Sequence, residues 1–564
     1  MTIGLSTVSK CFLATFFLFF GIEAIAKRNL GIFRIEEWRM VELTFHSESK
    51  YDDPFNDVVL DAIFEGPGGI QMIRPAFWDG GNTWKVRFAP PKRGVWKMTT
   101  ISNKINDRGL HSAKAKIRCK KYNGNLDIYR HGFVKVSDNG RYLVYDDGTP
   151  FFYLGDTHWC FVHERYDTSN IEGIESQFKY VVDKRVDQGF TVFQSEAIQN
   201  FDDTESDYVD EESRCSFNNG FGEDDLPGLK NLDRKFSYIA SKGLLHANSQ
   251  ICWATEPRVY SKVYTRDYMY KLGRYWSARF GAYPVLWTVA QEVDNDLYGG
   301  LSDKDVELWK QMAKGLTGND CYRHPLSAHM EEVSNTDATK SSWGDLKYHT
   351  WWAIQWRDSM NNPIRIKTFW NYDVTKPCIL YESGYEDIAV SANVALRQGF
   401  LGFQSGLFGY GYGANGIWND LYDKDDMASI YYMPQHFIQW YSGANLEGAD
   451  LLSNLKSFYQ AIKWWELEPR FDDMNWGEFS RTCNYALSSI NNTLYIVYLW
   501  KESNVPDGKL KKIKINVPYR AKWYNPREGV YHIVGECYSK DGEYILPPRP
   551  TCDDWVFVFE EISK

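Results

Sequence analysis

The sequence lacks the signatures of several common protein classes. Its ten cysteines are scattered over 564 residues, and none forms a C-x-x-C pair. That pattern excludes a conventional zinc site and a dense disulfide framework. Cys537 and Cys552 are a conceivable pair in one domain, with isolated core thiols as the alternative. Positive charge is in deficit: 64 Lys and Arg face 74 Asp and Glu, giving a formal net charge of −10. This balance argues against a nucleic-acid surface. Past the N-terminus there is no apolar run of about 20 residues, so no stable membrane insertion is expected. No G-x-G-x-x-G follows the first strand of the central region, which argues against a dinucleotide fold. H-x-H and H-E-x-x-H are missing. His158 and His163 near Asp156 are the one hint of a metal site, and too few other histidines end strands to complete it. Asp294-Asn295-Asp296 lacks the spacing of a calcium loop. No G-x-S-x-G elbow supports an esterase. The expectation is therefore no metal and no cofactor.

Aromatic residues are abundant. They make up 16% of the chain, with 22 Trp and 37 Tyr. Large cores would use them, and so would a surface that stacks on sugar rings. The N-terminus reads as a secretory signal over residues 1–26: Lys10, the apolar stretch from Cys11 to Ile22, then Ala24-Ile25-Ala26. An exported protein, periplasmic or extracellular, is expected.

Three patterns follow. Residues 31–122 alternate apolar and polar side chains between Gly/Pro turns, as in "WRMVELTF" (38–45), and predict a β-sandwich. A hairpin is expected over 82–100, around Pro90-Pro91 and Gly94. Residues 128–440 alternate strand and helix. Expected helices at 170–189, 231–242, 265–281, 302–316, 359–371 and 388–399 separate apolar strands. Eight strands in about 300 residues predict a (β/α)8 barrel rather than an open sheet. Residues 450–564 return to strand-like runs and predict a second sandwich. The fold class is thus a central TIM barrel flanked by two β-sandwiches.

Barrel strands four and seven end in carboxylates: Glu292 in "PVLWTVAQEVDND" (284–296) and Glu382 in "KPCILYESGYED" (376–387). Residues just past a barrel strand line the open mouth. Two carboxyl groups facing each other there suit glycosidic bond cleavage. One donates a proton to the leaving oxygen; the other attacks the anomeric carbon or activates water. A single such Glu could equally be a helix-start charge.

These segments, with "GTPFFYLGDTHWCF" (148–161), "KRVDQGFTVFQSEA" (184–197) and "GLFGYGYGANGIW" (406–418), resemble the apiosidase-like glycoside hydrolase family of gut bacteria, within the retaining (β/α)8 clan. The flanking "FWDGGNTWKVRFAP" (77–90), "AKWYNPREG" (521–529) and "RPTCDDWVFVFE" (549–560) resemble the sandwiches on either side of such barrels. The resemblance implies Glu292 as acid/base and Glu382 as nucleophile. Gln291 stands where the wider clan often has Asn. Asp156, which the family motif places in the mouth, and Trp159, Gln194, Glu196, Trp253, His329, Gln355, Tyr385, Tyr410, Tyr412 and Trp418, at or past strand ends, are expected to contact a carbohydrate, with Tyr385 also in reach of Glu382. Plainer alternatives are Asp156 as a helix cap, Trp253 as core and His329 as a loop cap. The expected function is hydrolysis of a poly- or oligosaccharide with retention. The alternative is a non-catalytic carbohydrate-binding protein on a degenerate barrel.

Overall fold

Period-two burial shapes both ends of the chain. The computed structural model describes residues 29–196, 220–249, 262–293, 302–330, 349–355, 366–420, 422, 438–480, 483–500 and 508–562. At the N-terminal end, a five-stranded sheet runs in the order Asn29–Glu36, Lys114–Lys120, Gly94–Ser102, Leu60–Glu65, Gln71–Pro75. A three-stranded sheet of Val41–His46, Thr83–Phe88 and Phe77–Trp78 accompanies it. The expected hairpin over 82–100 does not form. Thr83–Phe88 pairs with Val41–His46, whereas Gly94–Ser102 belongs to the five-stranded sheet. Pro90 and Pro91 offer no backbone N–H to extend a ladder, so the chain crosses between sheets there.

Eight parallel strands follow: β1 (Tyr153–His158), β2 (Val192–Glu196), β3 (Leu245–Ser249), β4 (Val285–Thr288), β5 (Leu326–Ser327 with His329–Met330), β6 (Trp352–Gln355), β7 (Cys378–Glu382) and β8 (Gly409–Tyr412). β1 pairs with both β2 and β8. The first half of β5 pairs with β4 and the second half with β6. A strand broken at Ala328 thus joins the two arms of the sheet into a nearly closed barrel.

Among the described residues, the helices that follow barrel strands include α1 (Gln177–Asp187), α2 (Leu226–Ser241), α3 (Arg266–Phe280), α4 (Asp303–Gly318), α5 (Lys367–Trp370), α6 (Ala392–Gln404) and α7 (Glu447–Gln460). α1 starts later than the apolar spacing from Ile171 predicts. Ser176 caps it by accepting from the Lys179 amide at 3.1 Å, and Gly173 before it is left-handed (φ +82). Ser302 caps α4 in a reciprocal capping box with Asp305. Of the expected helix at 359–371, the described part is α5; residues 356–365 lie outside the described residues.

Side chains alternate across the barrel wall. Tyr153, Val192, Leu245, Ala247, Leu286, Ala353, Ile379 and Tyr381 fill the lumen. Leu154, Phe193, Val285, Trp287, Ile354, Leu380, Tyr410 and Tyr412 pack outward with the helices.

Both sandwiches are fastened to this barrel. Arg74, wholly buried, donates to the Arg87 carbonyl at 3.1 Å and to the Ser277 carbonyl of α3 at 2.6 Å. Asp233 of α2 accepts from both Arg87 and Arg279, each at 2.6 Å. At the other end a six-stranded and a three-stranded sheet span residues 468–561. Phe400 of α6 stacks on Tyr498 at 5.2 Å, and Arg397 forks onto Asp554 at 2.9 and 3.1 Å. Cys537 and Cys552 are both free thiols.

Candidate active site

Strict alternation along β7 would point Tyr381 into the lumen and Glu382 away from it. The pairing shifts instead. Ile354 lies opposite Leu380, but Gln355 lies opposite Glu382, so β7 holds one extra residue. This is a β-bulge, a device that re-aims a side chain at the end of a ladder. It lets Tyr381 fill the lumen while Glu382, nearly buried, also turns inward. There Glu382 Oε1 accepts a short hydrogen bond from the Tyr385 hydroxyl. Its Oε2 lies 3.5 Å from His329 Nε2.

Both partners are themselves held. Trp159 Nε1 donates to the Tyr385 oxygen at 2.7 Å, and Tyr385 stacks on Trp418 at 4.7 Å with the rings 11° from parallel. His329 Nδ1 makes a short hydrogen bond to Gln291 Oε1. Gln291 therefore braces, through His329, the carboxylate across the lumen. A tyrosine and a histidine thus flank the two carboxyl oxygens, and each is held in turn by a tryptophan or a glutamine.

Glu292 follows Gln291 just past β4. Its backbone is left-handed (φ +45), a conformation that costs a non-glycine residue energy and gathers at functional sites. Burial pushes the Tyr385 phenol well above its usual range. The Glu382 charge is the next cause, and the Glu292 charge adds in the same direction. Both carboxylates therefore act on one tyrosine. Glu196 ends β2 nearly buried, and its charge and that of Glu382 both act on Tyr381. Gln355 ends β6 fully buried, with neither amide atom hydrogen-bonded.

Four expected contacts lie elsewhere. Asp156 is almost wholly buried behind the wall, where it accepts from Arg185 Nε of α1 at 2.6 Å and bonds His158 Nε2 at 3.0 Å. Burial alone would raise its carboxyl; Arg185 and His158 outweigh that and hold it below the usual range. Tyr410 reaches Gln398 on α6 at 3.1 Å, and Tyr412 hydrogen-bonds Glu386. These three face the strand–helix layer, because they sit on the outward parity of β1 and β8. Gln194 does face the lumen. Its amide is engaged by Tyr153, Thr157 and the Tyr381 carbonyl at 2.9, 3.2 and 2.7 Å, below the mouth. Trp253 lies outside the described residues.

Sequence reasoning passed over Tyr381 and the brace role of Gln291. Tyr381 was visible as the inward residue before a strand-end Glu. The Gln291–His329 bond depends on how β4 and β5 meet, which no local pattern reveals.

His158 is clasped by two carboxylates, Asp156 and Glu164, the latter at 2.5 Å. Burial lowers its basicity, but Glu164 and Asp156 outweigh it, and the imidazole is raised to about 9. It is a buried cation at neutral pH. Among the described residues no cluster of three His, Cys, Asp or Glu could hold a metal, and no helix is long and apolar enough to cross a membrane.

Residues 137–466 match the family described as "Apiosidase-like, catalytic domain". Residues 34–103 match a domain of unknown function, and 478–560 a candidate collagen-binding domain of a collagenase. No curated protein matches the sequence. Among solved structures, a candidate glycoside hydrolase from Bacteroides vulgatus is 18% identical with TM-score 0.70, over 94% of this chain and 100% of that one. A glycoside hydrolase family 5 protein from the same species is 16% identical with TM-score 0.59, over 77% of this chain and 94% of that one. At these identities the likeness establishes a shared fold.

Proposed function

Since the chain belongs to the apiosidase-like glycoside hydrolase family, we propose that it is an exported enzyme that cleaves a poly- or oligosaccharide by double displacement. Glu382 is the nucleophile and Glu292 the general acid/base. In the first step the Glu382 carboxylate attacks the anomeric carbon. The glycosidic C–O bond breaks, and Glu292 gives its proton to the departing oxygen. In the second step Glu292 takes a proton from water, whose oxygen attacks the same carbon and releases Glu382. Each step inverts the anomeric centre, so the product retains the substrate's configuration.

One observation carries this reading: Glu382 is turned into the lumen by a bulge and gripped by Tyr385 and His329. The Tyr385 hydroxyl donates to one oxygen and His329 lies against the other, which aims the carboxylate as a nucleophile requires. The strained backbone at Glu292 supports a functional role for that residue. Gln355, buried and without a hydrogen-bond partner, is suited to a sugar hydroxyl. Trp159 and Trp418, against Tyr385, supply aromatic side chains near the carboxylate.

The test is hydrolysis of a panel of plant and host glycans by wild type, Glu292→Ala and Glu382→Ala, with products separated by chromatography. Release by wild type that both variants lose by at least about 100-fold supports the assignment. Undiminished release by either variant overturns that residue's role. Binding without release by wild type would favour the non-catalytic alternative.

A further inference from the structure

The chain is acidic overall, yet one face of its N-terminal sandwich is not. Strand Lys114–Lys120 has the burial pattern exposed–buried repeated along its length, so Lys114, Lys116, Arg118 and Lys120 all project outward. Its neighbours add to them. Arg34 on the adjoining edge strand lies directly opposite Arg118, and Lys97 on the other side lies directly opposite Lys116. Lys120 is paired with Glu36 at 3.3 Å. Arg34, Lys97, Lys114, Lys116 and Arg118 are exposed and, among the described residues, have no ion-pair partner within 4 Å. The nearest acidic neighbour in register is Glu65, opposite Lys97 on its far side.

This arrangement is costly to the isolated fold. Like charges directly opposite each other on neighbouring strands are destabilising, and here it happens on both sides of one strand. The chain has 74 acidic side chains with which to neutralise five cations, but those beside the stripe lie at its margins: Glu36 and Glu37 at the Lys120 end, and Glu65 beyond Lys97. Same-face residues repeat about every 6.6–7 Å along a strand, and strands lie about 4.8 Å apart. The result is a flat lattice of positive charge rather than a point site. Ile32 and Val95, each about half exposed, sit between the cations: Ile32 beside Lys116, Val95 beside Arg118. A flat cationic surface with apolar patches complements an extended polyanion that has apolar ring faces. It suits a small free anion less, because no buried donor marks a single pocket.

We infer that this outer sheet face, centred on Lys116 and Arg118, is an accessory binding surface for a linear polysaccharide bearing carboxylate or sulfate groups. The occupant is a glycan rather than a nucleic acid or a lipid surface for two reasons. Ile32 and Val95 between the cations offer apolar contacts that a sugar ring face can take and a phosphate backbone cannot. The face is also part of a chain whose barrel belongs to a carbohydrate-cleaving family. Such a surface would hold an acidic polymer near the enzyme without touching the reacting bond. The inference is read by binding rather than turnover, so it stands or falls separately from the roles of Glu292 and Glu382.

The experiment measures binding of the full chain to polygalacturonate and to dextran sulfate at low ionic strength and at about 0.15 M salt, where charges are screened beyond about 8 Å. Neutral dextran, phosphatidylserine vesicles and duplex DNA serve as comparisons. The test variant combines Arg34→Ser, Lys97→Ser, Lys114→Thr, Lys116→Thr and Arg118→Thr. A second variant, Lys116→Thr with Arg118→Thr, keeps most of the surface and places β-favouring residues in the strand. Wild type should bind at least one anionic glycan with an affinity that falls as salt rises. The five-site variant should bind it at least ten-fold more weakly. The two-site variant should bind less tightly and melt no lower than wild type, because it removes two like-charge contacts. Which anionic glycan binds distinguishes carboxylate from sulfate recognition. Binding to neither, equal binding by the five-site variant, or tighter binding to vesicles or DNA than to either glycan would overturn the proposal.

Discussion

The Tyr385 hydroxyl donates to Glu382 and accepts from Trp159, so Tyr385→Phe deletes a link without emptying the space. A hydrogen bond to an ionised group contributes about 1.5–3 kcal/mol, so kcat/KM should fall roughly 10- to 150-fold. The ionised carboxylate also loses a donor, so the acidic limb of the rate–pH profile should move to higher pH. A rate loss with an unmoved limb would mean that the tyrosine only packs. A second residue-scale prediction concerns stability. Folding raises His158 from 6.5 to about 9, because Glu164 and Asp156 outweigh its burial. Its contribution is complete below the unfolded value and is lost as pH rises through 9. Asp420 is raised from 3.8 to about 7, first by burial and then by the Glu164 charge. Between these values the native state holds a proton that the unfolded state has released, so this contribution declines as pH rises from about 4 to about 7 and is flat above that. Tm should fall between pH 5 and pH 9. Asp420→Asn should reduce that slope, and a Tm that climbs over this range would contradict the signs.

At the scale of elements, Asp156 ties β1 to α1 through Arg185. Removing one member of a buried ion pair costs about 3–5 kcal/mol, because the other charge is stranded. Asp156→Ala should therefore lower the unfolding free energy by that amount, while the folded fraction keeps its KM. A changed KM with intact stability would return Asp156 to the mouth. Gly411 of β8 gives a second case. A Cβ there would sit 2.2 Å from the Tyr381 carbonyl oxygen and 2.5 Å from the Gln194 amide. Gly411→Ala should cost about 1–3 kcal/mol by overpacking, measured by denaturant titration. These cases also mark what was legible. The apolar runs and the helices between them reveal a barrel, because strand and helix periods differ. They do not reveal which parity of a strand faces inward. Asp156, Tyr410 and Tyr412 were consequently expected at the mouth, one wall too far in. Glu382 points inward despite its parity, through a bulge that no local pattern announces.

At the scale of the whole molecule, buried arginines cross one sandwich boundary and stacked aromatics the other. Arg74 and Arg87 reach α3 and α2, and α6 packs Phe400 on Tyr498. Calorimetry should show the N-terminal sandwich and the barrel melting in one transition. Arg87→Ala should lower it by removing the link from the N-terminal sandwich to Asp233 of α2 and to the Arg279 carbonyl of α3, whereas two resolved peaks would mean that the units are independent. The three-part organisation was readable because strand-only and alternating segments differ in pattern over about a hundred residues each. The contacts that join them were not, since they pair residues far apart in sequence, as Arg74 does with Ser277, 203 positions on. The central claim is that Glu382 attacks the sugar directly. The most direct test is the anomeric configuration of the sugar first released by the wild-type enzyme, followed by proton NMR before mutarotation. Double displacement gives a product with the substrate's own configuration. An inverted product would mean that water attacks in a single displacement, and that Glu382 is not the nucleophile.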